Sequence, residues 1–150
     1  MSKNIKEKIP ILIKKFEIGK FHDVINDSLV LLKKNDNDFL WNLTGLSFQN
    51  IHQIEKSINC FENALGLNPK NFSASNNLGI SYKKLKNYTK AEEYLQRSIE
   101  LNSEYVNALV NLGNLKNETY FFDSAISYYN KALNLNKNLP LVHLNISSVY

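Results

Sequence analysis

Residues 72–105, FSASNNLGISYKKLKNYTKAEEYLQRSIELNSEY, decide the fold, because what they spell returns at a fixed interval. Asn77-Leu78-Gly79 recurs as Asn111-Leu112-Gly113 and again as Asn145-Ile146-Ser147, each step being 34 residues; Gly45 lies 34 before Gly79. Leu67-Asn68, Leu101-Asn102 and Leu135-Asn136 form a second column at the same spacing. Ala64, Ser98 and Ala132 form a third, and Phe61, Leu95 and Tyr129 a fourth. Independent columns in one frame are the signature of a repeat architecture, in which each unit buries its apolar face against the next.

Within one period the apolar residues fall on two helical stripes. Leu78, Ser81–Tyr82 and Leu85 give the first, and Ala91, Leu95 and Ser98–Ile99 the second, with Lys86-Asn87-Tyr88-Thr89 as the turn between them. Thr89 and Glu92 have the spacing of a capping box, and Asp123, 34 residues after Thr89, reads as an equivalent N-cap. Gly45, Gly79 and Gly113 on the first helices, with Ala91 and Ala125 on the second, stand where two helices must approach closely. The pattern predicts helix pairs at 8–18 with 21–34, 38–50 with 54–67, 72–85 with 89–101, and 106–118 with 123–135. A lone helix then starts at Pro140, a residue suited to the first helical turn. Pro10 is expected to kink or shorten the first helix, whose apolar face is Ile5, Ile9, Leu12 and Phe16.

These motifs resemble the tetratricopeptide repeat family, a 34-residue unit with Trp, Leu, Gly and Tyr in its first helix, Ala, Phe and Ala in its second, and Pro at the exit. One unit supplies Trp41, Gly45, Phe48, Phe61, Ala64 and Pro69, with Thr44 and Ser57 as departures. The next supplies Leu78, Gly79, Tyr82, Ala91 and Leu95, with Ser98 and Ser103 off-pattern. The third supplies Leu112, Gly113, Ala125, Tyr129 and Ala132, with Lys116 and Lys137 off-pattern. Upstream, Gly19-Lys20-Phe21 followed by Val24, Ser28 and Leu31–Leu32 looks like half of a divergent unit whose frame is one residue short. The resemblance implies an all-α, right-handed superhelical solenoid of antiparallel helix pairs. Its units would be about 5–37, 38–71, 72–105 and 106–139, with a partial unit at 140–150, in one domain.

Composition agrees. Apolar residues make up 43% and charged residues 21% of the 150, which suits a packed globular chain, and 5 Gly with 3 Pro are too few for a many-turned β-sandwich. The formal charge of +4 is mild, and Arg97 is the single arginine. Nucleic-acid readers rely on arginine forks, so nucleic acid is a disfavoured partner, and weak binding through scattered Lys is the third reading. Cys60 stands alone, which excludes an internal disulfide and a cysteine metal cluster. A reducing, cytoplasmic setting follows as an expectation, with no signal peptide and no membrane span. His22, His52 and His143 occupy unrelated repeat positions, so no metal or other cofactor is expected, and no catalytic constellation emerges. His143, in the family's Trp column, is expected to be a partly buried structural residue.

The expected function is a protein- or peptide-binding scaffold without catalysis. In the family's geometry the residue two before the first-helix Gly faces the concave groove, which places Asn77, Asn111 and Asn145 there. A primary amide can donate to a backbone carbonyl and accept from a backbone N–H of an extended peptide. The column resembles the asparagine ladder of family arrays that precede glycosyltransferase domains. Other groove candidates are Asn42, Gln49, Asn50, Asn76, Lys83, Lys84, Asn107, Asn114 and Asn117. An Asn inside a helix has poor propensity and no evident structural use, so the ladder is expected to be idle in folding. A second expectation is that the chain is the substrate-recognition part of a longer glycosyl-, sulfo- or methyltransferase. Apolar Leu141, Val142, Leu144, Ile146 and Val149 further suggest self-association through 140–150.

Overall fold

The computed structural model describes residues 3–148. Nine helices follow one another among them, with no strand: α1 (Lys3–Glu17), α2 (Phe21–Leu32), α3 (Asp38–Asn50), α4 (Ile54–Leu67), α5 (Phe72–Lys84), α6 (Tyr88–Leu101), α7 (Val106–Glu118), α8 (Phe122–Leu135) and α9 (Pro140–Ser147). Each helix packs on the one before it, and α5 also touches both α3 and α7. The second helices of the pairs make at most marginal contact with one another. First helices close together and second helices splayed curve the stack, and the first helices line its inner side.

The three glycines of the first helices set the spacing within pairs. A Cβ built on Gly45 would lie 2.6 Å from the Phe61 ring, one on Gly79 2.7 Å from Leu95, and one on Gly113 2.6 Å from the Tyr129 ring. Those three side chains are fully buried. The column Phe61–Leu95–Tyr129 is therefore the knob that the column Gly45–Gly79–Gly113 receives. Ala91 and Ala125 are buried as the repeat implied.

Turns repeat as faithfully as helices. Gly19, His52, Lys86 and Tyr120 have φ of 76°, 60°, 59° and 65°. At each, the following amide reaches back to the preceding helix, as in Gln53 N–H to Phe48 C=O (2.9 Å), Asn87 to Tyr82 (3.0 Å) and Phe121 to Lys116 (2.8 Å). This is the Schellman closure, which satisfies carbonyls left over at a helix C-terminus. Three of the four positions carry a side chain in a left-handed conformation, at a cost of about 1–2 kcal/mol each. The helix pair imposes that turn whatever residue is there.

Several local expectations are corrected. The capping box at Thr89 and Glu92 is not the helix start: Asn87 is the N-cap, accepting from Lys90 N–H at 3.2 Å, because α6 begins at Tyr88. Asp123 likewise lies inside the first turn of α8, whose N-cap is Phe121. The side chains that cap are Asn37, Asn71 and Asn87. Helix α1 starts at Lys3 and runs through Pro10, whose exposed position leaves the freed carbonyl open to water. His143 is exposed, its Nε2 3.4 Å from the Lys137 carbonyl oxygen, because α9 has no second helix packed over that face among the described residues.

Three departures from the family pattern, Thr44, Ser57 and Ser98, find partners. Thr44 donates to the Leu40 carbonyl (2.7 Å) and Ser98 to the Phe72 carbonyl (2.8 Å). Ser57 donates to the Ile54 carbonyl (2.7 Å) and lies 2.9 Å from the Ser81 hydroxyl, which accepts from Gln49 at 3.0 Å. Buried hydroxyls are tolerated when bonded in this way.

Candidate functional site: the inner face of the first helices

Four residue columns at the 34-residue interval make up the inner face. They begin at Phe39, Asn42, Leu43 and Leu46 and continue through α5, α7 and α9. A pocket of about 350 Å³ opens in this face between α5, α7 and α9. Ile80 on α5, Tyr105, Val106 and Val110 at and in α7, and Leu139 and Leu141 at α9 supply its apolar lining, with Asn76, Asn77, Asn107 and Asn111 beside them. Tyr105 is fixed edge-on to Phe72, ring centres 4.9 Å apart. Leu141 is 74% exposed and Leu144, one turn along the same helix face, 64%. Part of the apolar surface at 140–150 thus belongs to the groove; Val149 lies outside the described residues.

Asparagines of this face bond to one another across the helices. Asn111 Nδ2 donates to Asn76 Oδ1 (2.9 Å), Asn76 Nδ2 to Asn77 Oδ1 (3.1 Å), and Asn77 Nδ2 to Asn42 Oδ1 (3.0 Å). The chain of amides links α7, α5 and α3. A second link joins Asn145 Nδ2 to Asn114 Oδ1 (2.9 Å), which also accepts from the Tyr129 hydroxyl (2.8 Å). Burial raises the pKa of that phenol, while the neighbouring Asn145 amide opposes the rise. Asn76 and Asn77 are only 2% and 6% exposed. The expectation of an idle ladder is therefore corrected: these amides stitch repeats together, because neighbouring first helices lie close enough for a short side chain to bridge.

The network still has open ends. Asn42 Nδ2, Asn114 Nδ2 and Asn111 Oδ1 have no partner among the described residues, and none is among the fully buried unpaired atoms, which are Ser28 Oγ and Gln53 Oε1. Of the other candidates, Asn107 is exposed beside the pocket, and Asn117 is half-buried. Asn50 is exposed and donates to its own helix at Leu46 C=O, 2.9 Å away. Gln49 is buried and reaches Ser81 and, at 3.4 Å, the Asn77 carbonyl. Lys83 meets Glu118 at 3.0 Å, and Glu118 also accepts from Tyr88 at 3.0 Å. The Lys83 ammonium holds the Glu118 carboxyl below its usual pKa. Lys84 is exposed.

Sequence reasoning singled out the asparagines and did not name the pocket. Its signal lay in the same columns, since Ile80, Val110 and Leu141 occupy the inner-face register that the asparagines define. Elsewhere, Cys60 is buried, and the apolar surroundings push its thiol pKa up to about 12. Among the described residues no cluster of three potential metal ligands occurs, and no helix is long and apolar enough to cross a membrane.

Family models described as tetratricopeptide repeat match residues 40–71, 73–105 and 106–139. No curated protein sequence matches the chain. Among solved structures, a crystal structure of MamA superposes with a TM-score of 0.82 at 24% identity, covering 93% of this chain and 82% of its own. The first such domain of Spaghetti (RPAP3), bound to an HSP90 peptide, gives 0.72 at 19% identity, covering 75% and 89%. The Arabidopsis OM64 domain of the same class gives 0.72 at 17%, covering 75% and 93%. At these identities the likeness is one of fold.

Proposed function

This chain belongs to the tetratricopeptide repeat family, and we propose that it is a scaffold holding an extended segment of a protein partner along the inner face of α3, α5, α7 and α9. The observation that carries this reading is the pocket between α5, α7 and α9, opening beside Asn111, whose Oδ1 has no partner among the described residues. An extended peptide offers one N–H and one C=O per residue, the complement of such amides, and a side chain for the pocket. The Spaghetti (RPAP3) domain, of the same fold, is bound to an HSP90 peptide, which supports a peptide as the kind of partner such a stack takes. At about 1 kcal/mol net per hydrogen bond, a few amide contacts alone reach only weak affinity. The pocket is what raises it.

The test is to select peptides from a random 12-residue display library against the whole chain and measure their affinities by fluorescence anisotropy. Half-buried Ile80 lines the pocket, so Ile80→Trp fills it. Selected peptides should bind this variant at least about tenfold more weakly. Peptides that bind both proteins equally would place the ligand elsewhere and refute the groove.

A further inference from the structure

The four inner-face columns contain sixteen positions, and not one of them is ionisable, in a chain where 21% of residues are charged. Seven are asparagine, seven are aliphatic or phenylalanine, and two are serine. Charge reappears one turn beyond, at Lys83, which Glu118 neutralises at 3.0 Å, and at exposed Lys84. The pocket repeats this character, with aliphatic groups, one tyrosine ring and amides as its lining, and no acid or base.

We propose that the groove selects for an uncharged segment anchored by one aliphatic or aromatic side chain in the pocket between α5, α7 and α9. The proposal rests on the groove reading and adds the chemistry of the occupant. An apolar side chain entering the pocket covers Ile80, Val110 and exposed Leu141 and leaves water with them. A lysine or glutamate entering it leaves water too, yet meets no opposite charge, so its desolvation is not repaid. Amides serve a peptide backbone of any sequence and do not replace a counter-ion. The Tyr105 ring is held in place by Phe72 before anything binds, so the wall is preformed. Selectivity thus comes from two sources, an anchor that fits and charges that are turned away.

The experiment uses the library-selected 12-residue peptides and the whole chain. Peptides whose binding is lost with Ile80→Trp should share a Leu, Ile, Met or Phe at one position within an uncharged stretch. Replacing that anchor by Lys or by Glu should weaken binding at least about tenfold. Leu141→Asp, at an exposed position that leaves the core intact, should weaken the parent peptide and recover part of the affinity of the Lys peptide. It also serves as the groove variant where Ile80→Trp does not fold. Pocket-dependent peptides that carry a charged anchor, or that tolerate Lys and Glu within twofold, overturn the selectivity and leave the groove reading standing. If no selected peptide responds to either groove variant, both readings fall together.

Discussion

Adding a single methyl group at two helix glycines should move stability in opposite directions. Gly66 lies in α4, exposed, with nothing within 4 Å of a Cβ built upon it. Gly66→Ala meets only the backbone effect, in which alanine is the better helix former by about 0.5–1 kcal/mol. Gly79 gains the same term, but its Cβ would stand 2.7 Å from Leu95 Cγ and 3.1 Å from the Ala91 carbonyl oxygen. Carbon atoms pack best at about 3.5–4.0 Å, so the new methyl is roughly 1 Å too close. Leu95 is fully buried and cannot swing aside, and the Ala91 oxygen is held by its helix. Overpacking of this kind costs about 1–3 kcal/mol. Set against the propensity gain, Gly79→Ala should be destabilised by about 1 kcal/mol and Gly66→Ala stabilised by somewhat less. For a chain of this length the two variants should differ in Tm by roughly 4–8 °C. Thermal melts followed by far-UV circular dichroism report both. A Gly79→Ala protein melting at or above wild type would refute the close approach of α5 and α6.

Asn77→Ala should also lower stability, by about 1–2 kcal/mol in urea denaturation. It removes a donor to Asn42 and an acceptor for Asn76 in buried surroundings, which outweighs a helix-propensity gain of at most about 0.7 kcal/mol. An unchanged or raised stability would show the amide chain to be dispensable. Cys60 should resist iodoacetamide at pH 8 until the chain opens, since its thiol pKa is pushed up to about 12 by burial and the thiolate is the nucleophile. Because the folded value lies above the ordinary 9.0, this group's contribution to stability is present below pH 9 and is lost as pH climbs toward 12. Labelling in step with free thiol, or a Cys60→Ala variant with the same alkaline stability loss as wild type, would contradict the burial.

The sequence alone determined the repeat, its period and the partners within each helix pair. A 34-residue interval recurring in glycine, alanine and aromatic columns can be met only by a stack of like units, so the contacts of one pair follow from those of the next. It did not yield the helix starts at Tyr88 and Phe122. Asn87, Thr89 and Asp123 are all competent capping residues, and only the three-dimensional turn, with Lys86 and Tyr120 forced to positive φ, selects among the possible starts. Nor could it assign the asparagines. Spacing placed Asn77, Asn111 and Asn145 on one face, but the distance across that face depends on how tightly the first helices pack. At the separation they adopt, an amide on one helix reaches an amide on the next, so a column read as free becomes a set of links between repeats. The pocket arises for the same reason. Ile80, Val110 and Leu141 are far apart in sequence and share a cavity only because curvature gathers α5, α7 and α9 around it.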